Sequence, residues 1–356
     1  MRGLKHRMGT LVMATTLLVA FAFAAAAQAA PQELGTAWMD ENETFIPWYA
    51  KQHEWDKAEG IELNLLMFDT GMAQMEALPA KEWVLGGTGG VPMMFGALRH
   101  DAYLIAIGND ESNTNAVLVR PDSPILKVKG ANPKYPEVYG SAETVKGKTI
   151  LVTTISSGHY AMSTWLTALG LTDKDVVVKN MDPAQCVAAF EKGIGDAVVL
   201  WAPQMYNGMK KGWKIASDVK KAGGFIPIVL VGDKEFCDKN PETVAKFLKV
   251  YFRGIDLVRK DGVKLAPDYA KFLKWAGLNM SEEDAKMDLE MHPVFTLDEQ
   301  LKMFDASKGE SQVQAWQKQL VQFFTALGKL KPEEGAKLET GYYITDKFLK
   351  LVPTVK

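Results

Sequence analysis

Cysteine is scarce. Cys186 and Cys237 are the only two in 356 residues, too few for a disulfide framework or a thiolate metal cage. Positive charge is not in excess either. A net charge of −2 leaves nothing to neutralise a run of phosphates, which excludes nucleic acid as the main partner. Beyond residue 29 no apolar run reaches the ~20 residues that a bilayer span requires, and no segment recurs as a solenoid unit would. The sequence contains no G-x-S-x-G elbow and no H-E-x-x-H helix. Gly147-Lys148-Thr149 ends like a phosphate-binding loop, but Ala142 stands where the first glycine belongs. The triplet also precedes a strand, whereas a phosphate loop follows one. Gly86–Gly90 does not complete G-x-G-x-x-G, because the third position falls on Pro92. His53, His100, His159 and His292 are scattered, with no i, i+4 pair to hold a metal. Neither cofactor nor metal is expected.

What is present is the balance of a soluble globular chain, 47% hydrophobic and 24% charged, which excludes disorder. Arg2, Lys5 and Arg7 precede an apolar stretch from Leu11 to Ala27, and Ala27-Gln28-Ala29 has the small-x-small pattern of a cleavage site. This predicts a secretory leader over residues 1–29, cleaved near Ala29. Its loss would take the net charge from −2 to about −5, three positive charges and no acids being removed. The expected compartment is a bacterial periplasm. That space is oxidising, so a Cys186–Cys237 bond is allowed, as are two separate thiols.

Strand and helix patterns then alternate. Leu34–Trp38 reads as extended. Pro47 opens a helix that Gly60 closes. Ile61–Phe68 is a strand, Gly71–Leu78 a helix, and Val84–Leu85 leads into the glycine-rich Gly86–Gly90, where glycine permits backbone approach to a ligand or a tight turn. Pro92–Leu98 is helical, and Tyr103–Ile107 and Ala116–Val119 are strands. After a polar loop over 121–147 the alternation restarts with the strand Thr149–Thr153 and the helix Ser157–Leu169. Val176–Val178, Ala197–Leu200 and Ile226–Val231 are further strands, and Pro183–Glu191 and Pro203–Lys211 further helices. From Pro241 the chain reads as mostly helical, with a capping box at Thr296-x-x-Glu299. The expected fold is α/β with two lobes and two hinge crossings, near 117–121 and 226–233. Residues 30–118 would form the first lobe and 119–229 the second. Residues 230–356 would return to the first lobe and add the C-terminal helices. One continuous open sheet is the alternative.

The segment from Thr153 to Tyr160 joins a strand to a helix. A helix start presents unpaired N–H groups and partial positive charge, so it attracts anions. Ser156 and Ser157 add hydroxyls, Gly158 allows close approach, and His159 can donate from its ring. Trp201 follows a strand at its C-terminal end, where ligands of open α/β sheets bind, and its indole can wall a small site. Gly71 and, inside the glycine run, Thr88 are further candidates. Asp40, Glu41 and Glu43 after the first strand, and Asp110 and Glu111 after another, could hold a cationic group. Each of these residues has an ordinary structural alternative: helix cap, core packing or surface loop.

The chain resembles the periplasmic substrate-binding proteins of ABC importers, in the group for taurine, alkanesulfonates and nitrate that also includes pyrimidine-precursor binders. The likeness is carried by Phe68-Asp69-Thr70-Gly71, Gly87-x-x-Gly90-x-Pro92, Val145 through Tyr160, Asp182-Pro183, Asp196-Ala197 and Trp201-Ala202-Pro203. It implies the two-lobed type II binding-protein fold and a non-enzymatic receptor. Such a receptor closes on one small anionic or zwitterionic solute, taurine or an aliphatic sulfonate first. It hands the solute to an inner-membrane permease with its cytoplasmic ATPase, and acts as a monomer. It also implies a sulfonate held by Ser156, Ser157 and His159, with Trp201 beside it and an amine held by one of the acids. Nitrate, a carboxylate, an aromatic acid or a pyrimidine precursor are the other solutes. A pyrimidine-precursor enzyme and a periplasmic sensor are the other roles.

Overall fold

The computed structural model describes residues 30–354. The leader expected at 1–29 lies outside the described residues. The strands are β1 (Gln32–Trp38), β2 (Ile61–Met67), β3 (Leu85–Gly89), β4 (Ala102–Asp110), β5 (Asn115–Val119), β6 (Thr149–Val152), β7 (Val177–Asn180), β8 (Ala197–Trp201), β9 (Lys214–Asp218) and β10 (Pro227–Asp233). They form two five-stranded sheets, ordered β2-β1-β3-β10-β4 and β7-β6-β8-β5-β9. β1 lies parallel to β2 and β3, and β6 parallel to β7 and β8. Each sheet has one antiparallel member, β10 in the first and β5 in the second. Each of these is the strand that arrives from the other lobe, so it enters its sheet from the facing end and runs against its neighbours. The result is the two-lobed fold of a periplasmic binding protein with a largely helical C-terminal region.

Several boundaries differ from the sequence expectation. The chain changes sheet between Asp110 and Asn115 and again between Asp218 and Pro227. Both crossings therefore lie upstream of 117–121 and 226–233. The β-branched runs there are central strands buried on both faces, and the short polar links before them make the crossings. The C-terminal helices also do not belong to the first lobe alone. On Gln312–Ala326, Phe323 meets the second lobe's Tyr160 at 5.1 Å between ring centroids, while Phe324 meets both Phe95 at 6.4 Å and His159 at 5.7 Å. Ala266–Trp275 and Glu282–Met291 share a core with Phe45 and Trp48 of the first lobe and Tyr206 and Trp213 of the second. Cys186 and Cys237 are separate, buried free thiols.

Two local departures bear on the site. The first helix starts at Asn42, not after Pro47, and runs to Gln52 with Pro47 inside it. Proline has no N–H for the carbonyl four residues back, here that of Glu43. The Tyr251 hydroxyl donates to that carbonyl instead, at 3.2 Å, and the Tyr251 ring stacks on Trp38 at 6.2 Å. The glycine run makes neither a turn nor a loop: Gly86–Gly89 lie in β3 and Gly90 opens the helix Gly90–His100. A Cβ on Gly86 would sit 2.2 Å from the carbonyl oxygen of Ala37 on β1, and one on Gly87 would meet the Trp38 ring at 2.8 Å. Among the described residues no helix is long and apolar enough to cross a membrane.

Gly86 is held by backbone, which cannot step aside as a side chain can. Gly86→Ala should therefore cost at least the usual overpacking penalty of about 1–3 kcal/mol. Urea unfolding should show a lower midpoint with an unchanged slope. A midpoint within error of wild type would refute the close β1–β3 approach.

Candidate functional site

A small cleft opens where the two sheets face each other. Its walls come from the C-terminal ends of parallel strands, as the topology of open α/β sheets dictates. Met39 and Glu41 follow β1, Thr70 and Gly71 follow β2, and Gly89 ends β3. Glu111 follows β4, the corner Thr153–Ser157 follows β6, and Trp201 ends β8. Ile228 lies near the start of antiparallel β10, which brings it to the same end.

The second lobe supplies hydroxyls and backbone N–H groups. Ser156 caps the helix Ser157–Ala168: its Oγ accepts from the His159 N–H at 3.2 Å and donates to the Thr153 carbonyl at 2.7 Å. That fills the ordinary role of an N-cap serine. The Ser157 hydroxyl has no hydrogen-bond partner among the described residues. It reaches across the cleft to the first lobe, where a Cβ on Gly89 would lie 2.7 Å from it. The first-turn N–H groups have no partner inside a helix, and Ser156 occupies only that of His159. Ile155, between strand and helix, has φ +58, a left-handed conformation that a β-branched residue adopts only under constraint.

The first lobe supplies acid. Carboxylate oxygens of Glu41, Glu43 and Glu111 all lie within 4.8 Å of one another, and all three residues are buried. Both oxygens of Glu43 are without a hydrogen-bond partner. Glu111 accepts from Asn115 Nδ2 at 3.1 Å. Burial, and next the neighbouring acids, push the carboxyls of Glu41 and Glu43 well above the usual range. Glu111 is pushed by burial up to about 7, against the pull of His292 and Asn115. His292 serves as this network's internal cation. Burial opposes its charge, but Asp288 beside it and Glu111 hold it up at about 9. Its Nδ1 faces the Asp288 carbonyl at 2.8 Å and carboxylate at 3.1 Å. Its Nε2 meets Thr114 Oγ1 at 3.0 Å, and that hydroxyl donates to the Glu111 carbonyl. The imidazolium is thus spent on Asp288, itself held below the usual range: its own burial raises it, but His292 and two tyrosines outweigh that. Among the described residues the three glutamates have no cation of their own within hydrogen-bond reach.

The expected residues divide clearly. Glu41, Gly71, Glu111, Ser156, Ser157 and Trp201 line the cleft. Glu43 stands behind it, in the acidic cluster. His159 does not face the cleft: both ring nitrogens are engaged within the second lobe, Nδ1 by the Ile155 N–H and Nε2 by Asp173, so the ring has nothing left to offer a ligand. Asp110 turns its carboxylate to the Ser112 N–H at 2.9 Å, making a turn, and does not line the cleft. Asp40 is half-buried beside Asp69 and outside the lining, its carboxyl raised by burial. Thr88 is wholly buried; a Cβ on Gly71 would lie 2.5 Å from its Oγ1. Missed by sequence reasoning were Met39, Thr70, Met72, Pro92 and Ile228. Thr70 was legible, since a threonine before Gly71 caps the helix Gly71–Ala77 by accepting from the Ala73 N–H.

This arrangement sits in a chain with clear relatives. It is 29% identical over 255 residues, 70% of this chain and 72% of the other, to a chain of Brachyspira hyodysenteriae named as an ABC transporter periplasmic binding protein. It is 28% identical over 201 residues to the taurine-binding periplasmic protein of Escherichia coli, 54% of this chain and 56% of that one. The alkanesulfonate-binding protein SsuA of Xanthomonas axonopodis, solved with MOPS bound, superposes with a TM-score of 0.68 at 20% identity, over 89% of this chain and 99% of that one. A family model described as NMT1/THI5 like matches residues 42–262, well over half of the sequence, and the protein belongs to that family.

Proposed function

We propose that this protein is the periplasmic solute receptor of an ABC importer, and that its cleft takes a small zwitterion, an aminoalkanesulfonate such as taurine. One observation carries the reading: an unspent hydroxyl and free first-turn N–H groups face buried, uncompensated carboxylates across one small cleft. The sulfonate would lie at Ser157 and the start of the helix Ser157–Ala168, the ammonium at Glu41 and Glu111. A simple anion would meet only half of this site and leave the acids without a partner. The relatives named for taurine and alkanesulfonates support the same solute class. The lining offers hydroxyls and carboxylates but neither thiol nor imidazole, which favours holding a solute over transforming it. The solute would then pass to a membrane permease, the protein having reached the periplasm by its leader.

Calorimetry on the purified protein tests this with taurine, ethanesulfonate, ethylamine and calcium chloride alone. Taurine should bind, and the two single-ended molecules should bind at least about tenfold more weakly, each losing one charge-assisted contact. Ethanesulfonate binding as tightly as taurine would refute the zwitterion. Calcium binding by itself, with no response to taurine, would make the glutamates a metal site instead.

The acids set a pH dependence of definite sign. Only the ionised carboxylate attracts an ammonium, and burial pushes the Glu111 carboxyl up to about 7. Taurine affinity should therefore rise with pH through 7, by up to about tenfold per unit below it. Binding at pH 6.5 should release protons, read as a buffer-dependent enthalpy. A flat profile from pH 6 to 8 would count against Glu111 as the ammonium's partner.

The two serines should separate. Ser156→Ala removes a cap and should lower stability by about 1 kcal/mol. Ser157→Ala should leave Tm nearly unchanged and weaken taurine binding several-fold. The reverse pattern would overturn the assignment.

A further inference from the structure

We propose that His159 and Asp173 are positioning residues that strap the cleft corner into shape by holding Ile155 in its left-handed backbone conformation. Four non-glycine residues have positive φ among the described residues: Glu54, Lys81, Asp101 and Ile155. The first three are charged surface types. Ile155 is β-branched, for which this region is the least accessible, and it lines the cleft. Something must hold it there. Its N–H donates to His159 Nδ1 at 3.2 Å. That nitrogen can accept only if the ring's proton is on Nε2, and Nε2 faces Asp173 Oδ2 at 2.7 Å. Asp173 is itself fixed, since its other oxygen accepts from the Ser163 hydroxyl at 2.7 Å. Ser163 and His159 are four residues apart on the helix Ser157–Ala168 and so share one face of it, which makes the strap rigid.

The chain of bonds runs from the far side of the second lobe to the cleft. Asp173 and His159 line an outer hollow bounded by Lys174 and Lys329, not the cleft. Asp173 selects the ring tautomer, the tautomer gives Ile155 its acceptor, and Ile155 fixes the turn that leads into Ser156 and Ser157. With the proton on Nδ1, two N–H groups would point at each other and the corner would lose its hold. Neither residue touches the solute.

The test needs an outcome that plain packing would not produce. His159→Phe removes the acceptor. His159→Asn keeps one, with Oδ1 where Nδ1 was. Ile155→Gly removes the need for the strap, because glycine adopts positive φ freely. Hydrogen exchange of the 153–158 segment is read by mass spectrometry in the ligand-free protein, and taurine affinity by calorimetry. His159→Phe should speed exchange of that segment and weaken taurine binding at least tenfold. His159→Asn should stay near wild type, and adding Ile155→Gly to His159→Phe should recover most of the affinity. Asp173→Ala leaves the ring in place and should shift its proton toward Nδ1, seen in the imidazole nitrogen NMR signals, with faster exchange at 153–158. If His159→Phe fails to fold, Asp173→Ala and His159→Asn decide between them. Unchanged exchange in His159→Phe or Asp173→Ala, or affinity that Ile155→Gly does not recover, would overturn the strap. The affinity arm rests on the taurine reading. Should wild type fail to bind taurine, that reading falls alone, and the exchange and NMR arms still judge the strap.

Discussion

Three carboxyl groups within 4.8 Å of one another, all buried, set the terms for this molecule. Burying charge without a partner is so unfavourable that the group gives up its ionisation first. The network around the glutamates contains one imidazolium, His292, and Asp288 consumes it. The raised carboxyls therefore favour protons that a cation could replace. Nothing in fold stability calls for such a cluster, since an apolar replacement of similar volume is commonly neutral or better. Its cost to the folded state would be offset by the ammonium proposed to bind there.

The serine corner has the opposite character. It carries no formal charge, so its attraction for an anion comes from aligned N–H groups and a hydroxyl. Such donors are weaker than an arginine, but they are fixed in place and need no counter-ion. A strongly cationic side chain here would have found Glu41 and Glu111 across the gap and closed the cleft upon itself. A neutral donor set facing a charged acceptor set keeps the two walls apart in chemistry while letting them approach in space, as Ser157 does toward Gly89.

Much of the fold was legible because buried parallel strands advertise themselves. The runs at 104–107, 116–119, 149–152 and 197–200 are apolar and β-branched, and all are strands. Two signals misled. Pro47 read as a helix start, because sequence cannot show that Tyr251 takes over the carbonyl that proline leaves free. Gly86–Gly90 read as room for a ligand or a tight turn, because the need for glycine there lies on a different strand, at Ala37. At the site, Glu41, Glu111, Ser157 and Trp201 could be found by their place after strands, a rule of topology. His159 could not be placed, since a histidine two residues into a helix can face either way. Asp173, fourteen residues on, turns it away from the cleft. The apolar lining escaped for the usual reason that a methionine in a wall and a methionine in a core look alike in sequence.

The acids and the donors also differ in how they are held. Glu41 and Glu43 open a helix in which Tyr251 takes up the free carbonyl of Glu43, and Tyr251 stacks on Trp38 in the central core of the first lobe. Glu111 follows directly on a nine-residue strand. The acidic wall is thus tied to the deepest packing of its lobe, where three carboxyl groups can be kept close together. The donor wall is a strained turn steadied from behind by side chains. A site needs rigidity most where its parts would repel each other once ionised. The attractive side can be a turn, provided that the turn, too, is prevented from relaxing into the commoner backbone conformation that Ile155 would otherwise adopt.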